Sequence, residues 1–506
     1  MIEKNIIDTN TDIEEPKYYD SFGNIFLFSL ISCFLFPWYI YTSFCLIFNK
    51  PVPRKTINNL LKAYAFFPYY VLKIYKTLLL RYKYRIEGNK KLIRKIFSAG
   101  KEDFYNGVVS IIIPVYNGGD DLKNLIQRLK VQEKIFKLEI IVIDSGSIDG
   151  SVEFIKGEEV KLIEIPKTEF SHSGTRNLGA KEACGDILLF MTQDAFPPDL
   201  DWVFKIITPI NEYGAAAVGC VEKPKADCSI FTGTENKDYR NSYNFGDCIV
   251  HLKKGKNLGS WWEMNTRVSD VSLAVRNEVF KKFLYEGDFA EDKNLCVKLL
   301  KKNYTIAILT SIQIIHSHER TALYEFKRSY ISTKSLKDIL PNFKSRKLSL
   351  HKIVNSAIYT YSNLSILFNY MESLEEDYEP GDFIELCACF WGNIKNSKSQ
   401  QLILGMWYSC AELDEIFLFF ENFHTNCRFN DTIYINSLMD YFNFSIQDYL
   451  LGKYNVINKI FKKQIIDAIF KKWLILLAND LAYYFCRRPG ISTPLFLKLE
   501  ELSKGI

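Results

Sequence analysis

No CxxC pair occurs in the 506 residues, and the 12 cysteines lie scattered, with Cys387–Ala388–Cys389 their closest approach. Such spacing argues against a zinc ribbon or a disulfide frame and for free thiols in a reducing compartment. A strong excess of one charge is also missing. The net charge is +5, which gives no argument for nucleic acid as a partner. There is no internal repeat and no low-complexity tract. What is present is an apolar content of 48%, as in a globular or membrane-attached chain, over a length that suggests about two to four domains.

The first 20 residues are polar and acidic. Residues 21–49 then carry no charged side chain, a run long enough to cross a bilayer as a helix. It does not read as a signal peptide, because an acidic stretch precedes it and no small-residue cleavage site follows. Pro37 could kink a spanning helix or form the tip of a re-entrant pair. Lys50, Arg54, Lys55 and Lys62 follow, so the positive-inside rule predicts a cytoplasmic remainder. Residues 63–85 interleave aromatics with Lys73, Lys76, Arg81, Lys83 and Arg85. That pattern suits a basic helix on an anionic membrane surface, or core helices packed on the next domain.

After a charged linker the pattern becomes strand–helix alternation, the mark of βαβ units and a parallel sheet. Residues 108–117 (VVSIIIPVYN) read as a strand and turn, residues 120–129 as a helix, and 138–144 (LEIIVID) as a second strand. A helix at 150–156 and a strand at 160–165 follow. Asn117 and Asp144 then fall on one rim. Asp144 could accept hydrogen bonds from a ribose or a base, with Ser145 and Ser147 as donors, or simply cap a helix. Residues 186–191 (DILLFM) form a buried strand that ends at Thr192–Gln193–Asp194. Ligands of open α/β sheets bind beyond the carboxyl ends of the strands. A carboxylate there suits a divalent ion that also holds phosphate oxygens, or is a turn acid before Pro197–Pro198.

Four ordered segments, SIIIPVYN, IIVIDSGSIDGS, HSGTRNLGA and GDILLFMTQDAFP, resemble the inverting family 2 glycosyltransferases of GT-A fold. The last two are similar to the bacterial rhamnosyltransferase branch, which builds surface polysaccharides. The resemblance covers residues 108–320. It implies a nucleotide-sugar site with Pro114, Tyr116 and Asn117 at the base, Asp144, Ser145 and Ser147 beside it, and Arg176, Asn177, Gln193 and Asp194 further along. Arg176 would pair with the diphosphate or hold the nucleotide-side acids. His172 would line the sugar pocket or hold its loop. The wider family carries Asp-x-Asp at the metal strand, whereas this chain has Gln193–Asp194–Ala195, the pattern of the rhamnosyltransferase branch. A single carboxylate still suits Mg2+ or Mn2+, since the diphosphate supplies other ligands.

Further along, residues 202–210 read as a helix, 214–221 as a strand, and 228–258 as loop or short helices over the site. Trp261 and Trp262 could stack on sugars or fill the core. Residues 306–315 read as a strand; the resemblance implies that 268–275 form the strand beneath the acceptor site and 276–283 the helix after it, with Asp270 where a polar residue could face the donor sugar. The pair Glu291–Asp292 before a helix resembles the family's Glu-Asp motif, which makes Asp292 the general base and Glu291 its neighbour. Two of the six histidines, His316 and His318, fall on one turn, and the resemblance implies that they approach the metal or the diphosphate. From residue 321 onward the periodicity is helical. The stretch 455–485, with lysines between its isoleucines, is either part of a docking bundle or a basic membrane or partner surface.

The fold class expected is α/β: a GT-A nucleotide-diphospho-sugar transferase fold with a Rossmann-like mixed sheet, N-terminal membrane-associated helices and a C-terminal α-helical domain. The expected divisions are an acidic tail (1–20), membrane helices (21–88), the transferase unit (104–320) and the helical domain (321–506). The expected activity is transfer of a sugar, with dTDP-rhamnose as donor, to a lipid-linked or protein-linked glycan at the cytoplasmic face of a bacterial cell membrane. Its rivals are a UDP- or GDP-sugar donor and an inactive scaffold in a glycan assembly complex.

Overall fold

The computed structural model describes residues 90–92, 104–241, 246–252, 259–341, 343, 347–396, 411–423, 433–488 and 493–502. The expected acidic tail and membrane helices, like the helical expectation for 401–410, lie outside the described residues. Among the described residues no helix is long and apolar enough to cross a membrane.

Nine strands form one mixed sheet: β1 (Lys90–Leu92), β2 (Tyr105–Val115), β3 (Ile135–Asp144), β4 (Lys161–Glu164), β5 (Ile187–Met191), β6 (Ala217–Lys223), β7 (Cys248–Val250), β8 (Ser272–Arg276) and β9 (Ile306–Ile315). Their order is β1-β7-β9-β6-β8-β5-β2-β3-β4. Strands β2, β3, β4 and β5 pair in parallel, and β6 pairs in parallel with β9. Strand β8 runs antiparallel to both β5 and β6. The carboxyl ends of β2, β3, β5, β6 and β9 therefore share one rim, and the start of β8 joins them there.

The helices of this part are α1 (Gly119–Lys130), α2 (Ser151–Lys156), α3 (His172–Lys181), α4 (Trp202–Tyr213), α5 (Ile230–Asn241), α6 (Gly259–Asn265), α7 (Asn277–Phe280) and α8 (Glu291–Lys301). Alternation along the strands divides the core into two layers. Ile111, Ile113, Leu189 and Met191 face Leu122, Ile126, Trp202 and Ile206 of α1 and α4. Ile112, Leu188 and Phe190 face Ala180, Phe280, Leu295 and Leu299 of α3, α7 and α8. Helix α3 sits close to the sheet because Gly179 has no side chain; a Cβ there would lie 2.6 Å from Ile112 and 2.7 Å from Ile143.

The polar stretch expected as loop or short helices holds α5, a helix of 12 residues, and β7. Helix α5 reads as weakly apolar because its covered face meets residues more than 200 positions later in the chain. Trp261 and Trp262 are core residues, 4% and 1% exposed.

The C-terminal region is helical: α9 (Ala322–Ile339), α10 (Leu350–Ser373), α11 (Pro380–Asn396), α12 (Ala411–Phe423), α13 (Ile433–Asp440), α14 (Gln447–Leu451), α15 (Lys459–Cys486) and α16 (Pro494–Leu502), with a π-helical turn at Tyr441–Ile446. Its core gathers Tyr330, Leu367, Phe383, Trp391, Tyr434, Trp473 and Leu477, together with Ile230 and Phe231 of α5. Helix α15 runs through this core, and three of its lysines, Lys462, Lys471 and Lys472, have partners within the protein. Lys462 donates to the carbonyls of Leu374 and Glu376 at 2.6 and 2.5 Å, and Lys471 pairs with Asp467 at 2.6 Å. The helix is part of a bundle, with Lys459 and Lys463 on its exposed face.

Candidate active site

The rim holds three groups of side chains. The first lies at the ends of β2 and β3. Asn117 adopts a left-handed backbone (φ 48°), which asparagine tolerates. Its amide N donates to Ser147 Oγ at 2.8 Å, and its side-chain oxygen accepts from the Ile148 amide at 3.0 Å. Ser145 Oγ donates to the Val115 carbonyl at 2.9 Å. Asp144 is 2% exposed; its Oδ2 accepts from the Gly146 and Ser147 amides at 2.9 and 3.0 Å, and its Oδ1 accepts from Ser147 Oγ. Its carboxylate shapes the turn. Pro114, partly buried on β2, leads into Tyr116. The Tyr116 ring is 40% exposed, and Lys167 lies 4.3 Å above its centroid and 2.9 Å from its hydroxyl. Gln193 clamps the Tyr116 backbone on both sides, accepting from its amide at 2.9 Å and donating to its carbonyl at 3.2 Å. Gln193 thus ties the end of β5 to the base-side turn.

The second group is Asp194, His316 and His318, which offer ligand atoms all within 4.8 Å of one another. Phe196 brings them together: it exchanges backbone hydrogen bonds of 2.8 and 3.0 Å with Ile315, the last residue of β9. That bridge fastens the Asp194 turn to the strand that delivers His316. His316 Nε2 lies 3.5 Å from Asp194 Oδ1, and His318 Nδ1 lies 3.3 Å from Asp194 Oδ2. The two imidazoles approach Nε2 to Nε2 at 3.0 Å. Burial alone would raise Asp194, but the hydrogen bond from His316 and the charges of both histidines hold it far below the usual carboxylate range. Burial works against the charge of His316, yet Asp194 and Glu222 bring it up to about 9. His318 is held at about 4, first by burial and then by the positive charges of His316, Arg320 and Arg328. One hard oxygen and two imidazole nitrogens around one gap form a donor set that fits a divalent cation.

The third group is acidic. Ser171 caps α3, accepting from the Gly174 amide at 3.0 Å, and the second turn carries Arg176, which is 4% exposed. Its Nη2 lies 2.6 Å from Asp270 Oδ2 and its Nη1 3.3 Å from Glu291 Oε1. The acids it meets, Asp270 and Glu291, lie beside Asp292 and are not the nucleotide-side acids of the sequence reading. Asp292 Oδ2 accepts from the Asp270 amide at 3.3 Å, and its Oδ1 accepts from the Lys293 amide at 2.6 Å. Ala290, just before α8, holds φ at 58°, a region residues with a Cβ seldom occupy. The turn it makes delivers Glu291 and Asp292 to the first turn of α8. Three carboxylates face one guanidinium, so charge balance favours a retained proton. Burial and the charges of Asp270 and Asp292 push Glu291 up to about 9, and burial and Asp270 push Asp292 up to about 6. Two buried polar atoms beside these acids, Arg176 Nε and the Tyr285 hydroxyl, have no hydrogen-bond partner among the described residues.

Asn177 does not reach the base-side turn. Its amide clamps the Tyr285 backbone, donating to the carbonyl at 3.0 Å and accepting from the amide at 3.1 Å. His172 is partly buried; burial and Arg176 lower its pKa. The sequence reading passed over Glu222, whose Oε2 lies 2.8 Å from His316 Nδ1. The signal was present: an acid closing an apolar strand on the same rim as Asp144. It also passed over Lys167 and over Arg328 of α9, whose charge acts on His318, Glu222 and Lys293.

Residues 110–262 match the sequence model described as Glycosyl transferase family 2. The O-antigen chain rhamnosyltransferase RfbN of Salmonella typhimurium is 28% identical over 227 residues, 44% of this chain and 70% of that protein. The O-antigen chain rhamnosyltransferase WbaN of Salmonella anatum is 27% identical over 227 residues, again 44% and 70% of the two chains. Among solved structures, the mannosyltransferase PcManGT from Pyrobaculum calidifontis in complex with GDP-Man and Mn2+ aligns at 17% identity and a TM-score of 0.38. The alignment covers 52% of this chain and 73% of that one; a likeness at that level carries no argument here. The part of the rim that holds Asp144, Arg176 and Asp194 thus falls within the residues that match the family 2 glycosyltransferase model, and the chain is a transferase resembling the O-antigen rhamnosyltransferases.

Proposed function

We propose that the chain is an inverting rhamnosyltransferase that moves L-rhamnose from dTDP-rhamnose onto a growing surface glycan, with Asp292 as general base. One observation carries the reading. A donor set fit for a divalent ion and a carboxylate raised to about 6 occupy the same rim of one sheet. The rhamnosyltransferase relatives support the choice of donor.

In this reaction Asp292 takes the proton of the acceptor hydroxyl as that oxygen bonds to the anomeric carbon. The bond from that carbon to the diphosphate oxygen breaks, its electron pair leaves with the nucleoside diphosphate, and attack from the opposite face inverts the centre. The Asp270 and Lys293 amides hold Asp292 in place, while Arg176 offsets the charge of the neighbouring acids. Tyr116 offers a ring face to the base, backed by Lys167. Asp194, His316 and His318 would hold Mg2+ or Mn2+, which supplies charge neutralisation to the leaving diphosphate. Two nitrogen donors favour Mn2+. We place the chain at the cytoplasmic face of a bacterial membrane through residues 21–88, with a lipid-linked or protein-linked acceptor, the transferase unit at 104–320 and the helical domain at 321–506. Alkaline carbonate extraction tests the attachment: release of the full chain into the soluble fraction would refute it.

Calorimetry on the full-length chain tests the donor, comparing dTDP, UDP and GDP with and without Mn2+ or Mg2+ and repeating with Asp194→Ala. The expected result is dTDP binding that requires the ion and is lost in the variant. A preference for UDP or GDP would replace the donor. A folded chain that binds none of the three would favour the scaffold.

A further inference from the structure

We propose that Glu222 is a positioning residue joining the ion-binding and proton-accepting parts of the site; this rests on reading Asp194, His316 and His318 as ion ligands. Glu222 is the second-last residue of β6 and pairs in register with Ile314 of β9. The ladder continues past the strand end, because the His316 amide donates to the Lys223 carbonyl at 2.9 Å. The backbone alone therefore sets the Glu222 carboxylate beside the His316 ring, 2.8 Å from Nδ1. A carboxylate can only accept there, so the Nδ1 proton is held on that side. In the neutral ring the Nε2 lone pair is then left to face Asp194 and His318, at 3.5 and 3.0 Å. An outer carboxylate that fixes the tautomer and angle of a ligating histidine in this way commonly decides metal affinity.

The same carboxylate has a second neighbour. Ser269 lies beside it and helps to hold its pKa below the ordinary carboxylate value, and the next residue, Asp270, gives its amide to Asp292 and its carboxylate to Arg176. One side chain at the end of β6 thus holds an ion ligand on one side and, on the other, the turn that supports the proposed base.

The test is a titration of the full-length chain with Mn2+ alone, read from the electron paramagnetic resonance of the free ion at fixed pH. Wild type, Glu222→Gln, Ser269→Ala and Asp194→Ala are compared, with circular dichroism of each. Glu222→Gln is expected to weaken Mn2+ binding about 10- to 100-fold with an unchanged fold. Ser269→Ala is expected to leave Mn2+ binding intact while lowering kcat for transfer. Wild-type Mn2+ affinity in Glu222→Gln, beside a loss in Asp194→Ala, would overturn the role of Glu222 alone. Wild-type affinity in Asp194→Ala would overturn the ion site itself, a separate failure. Should Glu222→Gln misfold, Glu222→Asp keeps the charge and withdraws it by one methylene; undiminished Mn2+ affinity there overturns the proposal equally.

Discussion

A carboxylate that takes a proton from a hydroxyl near neutral pH works best when its own pKa lies near that pH. Asp292 is raised to about 6 by burial and by the Asp270 charge. It is ionised, and able to accept, above that value, and protonated and idle below it. The kcat/KM profile should therefore lose activity as pH falls through about 6. Asp292→Asn should lower kcat by about 10²- to 10⁴-fold, the usual share of general base catalysis, with nucleotide binding retained. Because Asp270 raises Asp292, Asp270→Asn should move the acidic limb to lower pH, a shift read directly from the rate profile; an unmoved limb would assign it to another group. The positions of Asp194 and Asp292 on the rim were readable in the sequence, the first from the end of a strongly patterned strand and the second from the likeness to the family's Glu-Asp motif. The partners that set their properties were not. Glu222 meets His316 across a strand pairing between residues 94 positions apart, and Arg176 meets Glu291 at a separation of 115. No local pattern records such meetings.

At the scale of elements, the joint between the Asp194 turn and the end of β9 holds the most consequence for the site. Phe196 is 6% exposed, belongs to the core beneath the sheet, and lies under Arg128 and Lys225 at 5.8 and 5.1 Å from the ring centroid. Phe196→Ala should cost about 3 kcal/mol or more in urea unfolding. It should also weaken Mn2+ binding, because the turn bearing Asp194 loses the packing that holds it against His316. Unchanged ion affinity in a destabilised variant would show that the backbone bridge suffices. Strand and helix positions of this part followed from apolar periodicity, down to residues 306–315 of β9. Helix α5 was obscure for a physical reason. Its polar face is conventional, but its apolar face is short and is completed by α15 and the π-helical turn.

For the whole molecule, the two regions share more than a boundary. Lys472 pairs with Glu235 at 2.7 Å, Lys237 with Asp448 at 2.9 Å, and Ser445 donates to Asp238 at 2.6 Å. A Cβ on Gly233 would lie 2.2 Å from the Tyr449 ring, so α5 and the helical region meet without a gap. Removing residues 321–506 would uncover Ile230 and Phe231 and withdraw the Arg328 charge from His318. The truncated chain is expected to aggregate on size-exclusion chromatography; a monodisperse fragment with full nucleotide affinity would count against this.

Interchange of parts among related chains offers another view of α5. A piece traded at residue 321 would arrive without the surface that fits it, since the matching face lies on a helix formed 80 to 90 residues earlier. A cut moved back to residue 226, ahead of α5, would divide the sheet instead, because β8 and β9 pair with β5 and β6. An exchange of the helical region would therefore have to bring the sheet along with it.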